Sequence, residues 1–242
     1  VLTEWWTYRL SDLLLFSPRT WYRLHELHNA AIWPAQLVAL ALGISAIVLL
    51  LRQRPASRVV TAIFALCWAW VGWIFHLGHY ATINWAANWF AAGFALQALL
   101  LLVFGVVRRN VSFERAPTQE LFVAARCKIA ATAQRAAGLA LLGFGVLAQP
   151  LIGPLLGRPW AQAEAFGVTP DPTVAATLGL LLLASGRAAR VLWPLPLAWC
   201  GIAGATLWSM GSPEAFLMPL VGIVALLIRV CGATGSMRTS GR

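Results

Sequence analysis

The spacing of the apolar runs limits most strongly how this chain can fold. Seven stretches, 31–51, 59–77, 85–107, 136–156, 173–186, 191–208 and 215–230, contain no Asp or Glu. A helix rises ~1.5 Å per residue and the hydrocarbon core of a bilayer is ~30 Å thick, so a crossing takes ~20 residues. Most of the runs approach that length, and 173–186 is short for a span. Hydrophobic residues make up 60% of the chain and charged residues 11%, where a soluble domain carries about 25% charge. Mean hydropathy is +0.74. These features predict an all-α integral membrane protein of about seven transmembrane helices. Residues 31–230 form the membrane domain, 1–30 an interfacial amphipathic segment, and 231–242 a disordered tail.

The segments between the runs supply a second criterion. Arg52, Arg54 and Arg58 follow the first run, Arg108, Arg109, Arg115, Arg126, Lys128 and Arg135 the third, and Arg187 and Arg190 the fifth, while Arg229, Arg238 and Arg242 close the chain. The intervening turns hold few cations, chiefly Arg158. Basic residues collect on the cytoplasmic side of membrane proteins, so the alternation predicts the N-terminus outside and the C-terminus inside. It also explains the net charge of +10 without nucleic acid, for which the chain holds no motif. Cys67, Cys127, Cys200 and Cys231 are far apart in sequence, and no disulfide is expected. Residues 110–135 read either as an amphipathic helix on anionic headgroups or as a basic topology anchor.

Residues 1–16 mix Trp5, Trp6, Tyr8 and several leucines with Glu4, Arg9 and Asp12, a pattern for lying in the interface. Arg9 and Asp12 argue against a signal peptide, and Val1 is read as a literally translated GTG start. Ser17-Pro18 has the form of an N-cap followed by proline at the first helical position.

The runs exclude several chemistries. With no carboxylate in any predicted span, carboxylate-driven ion coupling is not expected. The seventh run lacks a lysine for a retinal Schiff base, and nothing resembles a phosphate-binding loop. Gln36, Ser45, Gln97, Gln149, Ser185 and Thr206 are polar positions within runs, suited to interhelical hydrogen bonds; Gln97, near the middle of the third run, also suits a ligand contact. Pro150 and Pro154 should kink the fourth run. Gly138, Gly143, Gly145, Gly201, Gly204 and Ala205 would let helices approach closely.

Residues 75–90, FHLGHYATINWAANWF, are the candidate site. His76, Tyr80, Thr82, Asn84, Trp85, Asn88 and Trp89, with Gln97, have the makeup of a small-molecule pocket, mostly aromatic with a few convergent polar groups. An aromatic belt and helix-end caps would account for the same tryptophans and asparagines. The chain's histidines, His25, His28, His76 and His79, form two i, i+3 pairs on the outer side. Four imidazoles suit zinc or copper, and bis-histidine haem ligation is a further alternative. Hydrogen bonds to backbone, headgroups or water would account for them without any cofactor, and none is predicted.

The segments WWTYRLSDLLLFSPRTWYRLHELHNAAIWPAQ and FHLGHYATINWAANWFAAGFALQA resemble an uncharacterised family of bacterial multi-pass inner-membrane proteins, a domain of unknown function in which some members carry a permease-like label. The resemblance is strongest over residues 3–107. It implies that aromatic residues usually stand at positions 25 and 28 and that position 79 varies. His76 and the Tyr-Ala-Thr-Ile-Asn-Trp run would then be the family feature, and a four-histidine site would be particular to this chain. The expected function is a permease-like or small-ligand-binding protein of the bacterial inner membrane, with no catalytic residue assigned. Its expected partners are the bilayer and a small molecule. The alternative is a structural or assembly subunit of a membrane complex.

Overall fold

The computed structural model describes residues 16–52, 56–113 and 125–237. The N-terminal segment to residue 15, Arg54, the stretch 114–124 and the last residues of the tail lie outside the described residues. Among the described residues the protein is helical throughout, apart from one antiparallel bridge between Ser112 and Ser185.

Each predicted run folds as helix. α1, Pro18–Ala31, starts where expected: Pro18 stands in its first turn and the Ser17 hydroxyl accepts a hydrogen bond from the Thr20 N–H. α2, Ala35–Leu51, meets α1 at 88°. α3, Ser57–Trp70, passes into wider π-helical turns over Val71–Leu77, marked by the Gly78 N–H reaching back five residues to the Trp73 carbonyl at 3.1 Å. α4, Ala87–Leu101, ends in similar turns over Leu102–Val107. α5, Ala125–Gly143, continues through Phe144–Ala148 into α6, Gln149–Leu155. α7 is Pro170–Leu183, α8 Pro194–Ser209 and α9 Leu217–Met237.

Four helical stretches are long and apolar enough to cross a membrane, Ser57–Thr82, Ala87–Val107, Ala131–Leu155 and Ala188–Ser209, and the bent α1–α2 pair would make a fifth. Large apolar side chains such as Leu37, Leu66, Leu99, Leu151 and Leu227 are exposed along these rods and along α9, compatible with a membrane protein.

The short fifth run has a structural cause. α7 has 14 residues and all are buried, so at ~1.5 Å per residue it spans ~21 Å. A helix apolar all round belongs inside a bundle, and α7 is enclosed by α3, α5, α8 and α9. Close approach to α5 depends on glycine: a Cβ on Gly179 would lie 2.3 Å from the Leu142 nitrogen, and one on Gly145 2.5 Å from the Ala176 nitrogen. Gly138 faces the same helix and Gly204 faces Pro219 on α9, whereas Gly143 and Gly201 meet nothing within 4 Å. The polar groups of α7 are all partnered. Thr177 Oγ1 accepts from Trp68 Nε1 at 2.8 Å, and Thr173 Oγ1 from the Gly167 N–H at 2.9 Å.

Loop contacts define two ends. At one, α1 lies across the bundle: Tyr22 meets Ser212 at 3.3 Å, and Asn29 donates to the carbonyls of Ala161 and Ala163. At the other, the Phe113 N–H donates to Ser57 Oγ, and Arg135 donates to the Leu50 carbonyl at 3.0 Å. Arg52, Arg58, Arg108, Arg109 and Arg190 belong to this second end; Arg19, Arg23 and Arg158 belong to the first.

Candidate functional site

The α1 end gathers most of the aromatic and titratable side chains. Widening of the helix over Val71–Leu77 sets Phe75 and His76 side by side at the top of α3. Phe75 is fully buried and separates two groups of histidines.

On its α1 side, the His25 ring packs 5.3 Å from Phe75 and the His28 ring 5.1 Å. His25 Nδ1 donates to the Trp21 carbonyl at 3.0 Å, which leaves Nε2 with its lone pair. His28 Nε2 donates to the Val168 carbonyl at 3.0 Å, and its Nδ1 lies 3.3 Å from His79 Nδ1. The latter in turn donates to the Ile74 carbonyl at 2.9 Å. Backbone carbonyls therefore fix the tautomer of each of these three imidazoles. Among the described residues no group of three or more His, Cys, Asp or Glu side chains is arranged to hold a metal ion.

On the other side of Phe75, His76 has no exposed surface. Its ring packs against Phe94 at 4.6 Å, Trp199 at 5.1 Å, Tyr80 at 5.9 Å and Phe90 at 6.0 Å. Neither ring nitrogen has a hydrogen-bond partner among the described residues. Tyr80 is also buried and accepts from Asn84 Nδ2 at 3.0 Å, while Asn84 Oδ1 accepts from the Ala86 N–H. Asn84 thus shapes the turn into α4. Gln97 donates to the Leu192 carbonyl at 3.1 Å, and its Oε1 has no partner among the described residues.

Of the residues predicted to line one pocket, the structure brings His76 and Tyr80 together. Asn84 sits behind them. Asn88 is exposed and donates to the Trp85 carbonyl. Trp85 and Trp89 are 66% and 71% exposed and project outward from the bundle. Gln97 lies lower on α4. Thr82, exposed and bonded to the His79 carbonyl, lines a different feature: an open groove of about 920 Å³ between α1 and the 78–83 turn. Arg19, Arg23, Glu26 and Gln162 contribute its polar walls, with His79 beside Thr82. Arg23 pairs with Glu26 at 2.5 Å, and Gln162 donates to the other Glu26 oxygen at 2.8 Å.

The four long apolar stretches hold no carboxylate, but the shorter helix α7 does. Asp171 stands in the first turn of α7, enclosed by the bundle, because that helix starts earlier than the run of apolar residues. Arg158 and Glu164 from the connection before α7, and Glu214 from the turn before α9, converge on it around a cavity of about 20 Å³ that Gln149 also lines. Arg158 is bonded to Glu214 and stacks over Tyr22 with its guanidinium carbon 4.6 Å from the ring centroid. Asp171 Oδ1 accepts from Trp199 Nε1 at 2.7 Å, so the acidic cluster shares Trp199 with the His76 cage. Glu164 faces His25 Nε2 at 3.8 Å. Burial first, then the neighbouring Asp171 and Glu214, push the Glu164 carboxyl well above the usual carboxylate range, with Arg158 opposing. The available sequence signals were Arg158 and Glu164 in the connection before α7, Glu214 as the single charge between the sixth and seventh runs, and Asp171 between two prolines at a helix start.

The chain belongs to a family described as "Family of unknown function (DUF6064)", which matches residues 19–236. No curated protein matches the chain, and no solved structure does.

Proposed function

We propose that this family member is a multi-pass protein of the bacterial inner membrane that binds a small polar molecule at its extracytoplasmic end in a permease-like role. The observation that carries the reading is the groove over α1. Its ~920 Å³ falls in the range of small-molecule sites. Its walls mix charge, amide, hydroxyl and imidazole. Glu26 is already bonded to Arg23 and Gln162, so among the described residues of the groove Arg19 is the cation left to receive an anionic group on the ligand. His79 and Thr82 are the predicted site residues in its wall, and the buried His76–Tyr80 pair lies behind that turn as support.

Seven crossings with the N-terminus outside are part of the proposal. The reading is supported by the sorting of arginines to the end opposite α1. In this reading α7, enclosed by its neighbours, and α9 count as crossings.

The test is a thermal-stability screen of the purified protein with carboxylates, phosphates and amino acids, repeated on Arg19→Ala and Thr82→Val. A compound that raises the wild-type midpoint, and does so less in both variants, is the expected result. A flat screen together with co-purification of a fixed protein partner would refute it and favour an assembly-subunit role. Accessibility of cysteines introduced at Asn110 and Ala161 tests the orientation: only Ala161→Cys should react from the periplasmic side.

A further inference from the structure

The cavity between Gln149, Arg158, Glu164, Asp171 and Glu214 is unbalanced in charge. Three carboxyls face one guanidinium. The guanidinium is engaged with Glu214, and the Trp199 indole N–H serves Asp171. Gln149 is 5% exposed. Its amide N–H points to Met218 Sδ at 3.8 Å, and its Oε1 has no partner among the described residues. His25, 1% exposed, presents a bare Nε2 towards Glu164 because its Nδ1–H is committed to Trp21. Among the described residues, the two atoms left without a partner here, Gln149 Oε1 and His25 Nε2, are thus acceptors. Ionising all three acids would leave two uncompensated negative charges in an enclosed site, where each buried ion costs several kcal/mol. A cavity of about 20 Å³ has room for one water, which needs roughly 10–15 Å³.

We propose that this cavity is a proton-binding site in which Glu164 holds the proton and an enclosed water supplies hydrogen to Gln149 Oε1. Glu164 is the holder because each other carboxyl has a donor that favours its anion: Arg158 for Glu214 and Trp199 for Asp171. The proton is taken up on a Glu164 carboxylate oxygen and released to water, so no other reactant is required. The other titratable groups around the site are His25 and Tyr22 on α1, the Cys200 thiol on α8 and the Tyr80 hydroxyl, the last two within electrostatic reach of Asp171. Tyr22 also lines the α1 groove, so it touches both features. The two share no lining residue, and the proton site stands whether or not the groove takes a ligand.

Infrared spectroscopy on the full chain in lipid nanodiscs tests the assignment. At pH 7 the wild type should show a protonated-carboxyl C=O band that shifts in D2O. Glu164→Gln should abolish it and Glu164→Asp should displace it. If Glu164→Gln does not fold, Gln149→Leu leaves every acid in place and should move the band by removing the water contact. Absence of the band in the wild type, or its survival in Glu164→Gln, would overturn the proposal. So would a band present in choline chloride but lost in sodium chloride, which would mark a metal-cation site instead.

Discussion

Adding a single methyl group at Gly179 tests the placement of α7 at the centre of the bundle. In Gly179→Ala the new Cβ would sit 2.3 Å from the Leu142 nitrogen and 2.7 Å from the Gly138 carbonyl oxygen. Both partners are helix backbone, so no side chain can rotate away and the helices must separate. Overpacking typically costs about 1–3 kcal/mol, and contact with rigid backbone puts this site at about 3. The alanine recovers about 1 kcal/mol of helix propensity, leaving a net loss of about 2 kcal/mol. At ~2–4 °C per kcal/mol for a chain of this size, the thermal midpoint should fall by about 4–8 °C. Gly143→Ala on α5 provides the reference, since its Cβ would meet nothing within 4 Å; it gains propensity at no packing cost and should melt at or above the wild type. Fluorescence-detected size exclusion after heating, in one detergent, reads both variants. A Gly179→Ala protein as stable as Gly143→Ala would refute the tight α5–α7 crossing.

Other consequences are simpler to state. The folded protein binds a proton at Glu164 more tightly than the unfolded chain does, so this group's stabilising contribution is complete below about pH 4.3 and is lost as pH rises through its elevated folded value. The melting temperature should therefore decline towards alkaline pH, and Glu164→Gln should flatten the decline. Arg158→Met strands Glu214 in a buried position and should cost about 3–5 kcal/mol, with much of the loss recovered in Arg158→Met/Glu214→Leu; thermal midpoints of the two variants decide. Ser17→Ala removes the α1 cap seen at Thr20 and should cost about 1 kcal/mol, visible as faster amide exchange over the first turn of α1. Trp85→Ala and Trp89→Ala remove only exposed rings, so each should alter stability in detergent by less than about 0.5 kcal/mol.

The helices were legible because the signal is local: an uncharged run of near-spanning length says helix regardless of its neighbours. The two ends of the bundle were legible for a similar reason, since the arginines after alternate runs report on their own segments. Glycines resisted the same treatment. Gly143 and Gly145 are two residues apart, yet only Gly145 meets another helix, and the difference is set by where α7 crosses. The candidate site was half legible. The 75–90 stretch does hold the buried His76 and Tyr80, but proximity in sequence grouped them with Trp85, Asn88 and Trp89, which the turn into α4 sends outward. The acidic cluster was invisible because Arg158, Glu164 and Asp171, spread over the approach to α7, meet Glu214 from the turn before α9, and nothing local marks that meeting.

Asp171 shows how such a site could be recognised from sequence. Hydropathy places the start of the run at the first apolar-looking residue, Thr173, and so leaves the acid in a loop. Helix-start chemistry places it differently. Proline is favoured at the first helical position, and an acid in the first turn interacts favourably with the helix dipole, so Pro170-Asp171-Pro172 is itself a start signal. With the start moved to Pro170, the short fifth run becomes a helix that carries a carboxylate into the bundle. A run too short to face lipid must be covered by its neighbours, and a carboxylate covered in this way needs a hydrogen donor. Trp199 supplies one hydrogen. The remaining demand, from Glu164 and Gln149 around the same cavity, is what a bound proton and one water would meet.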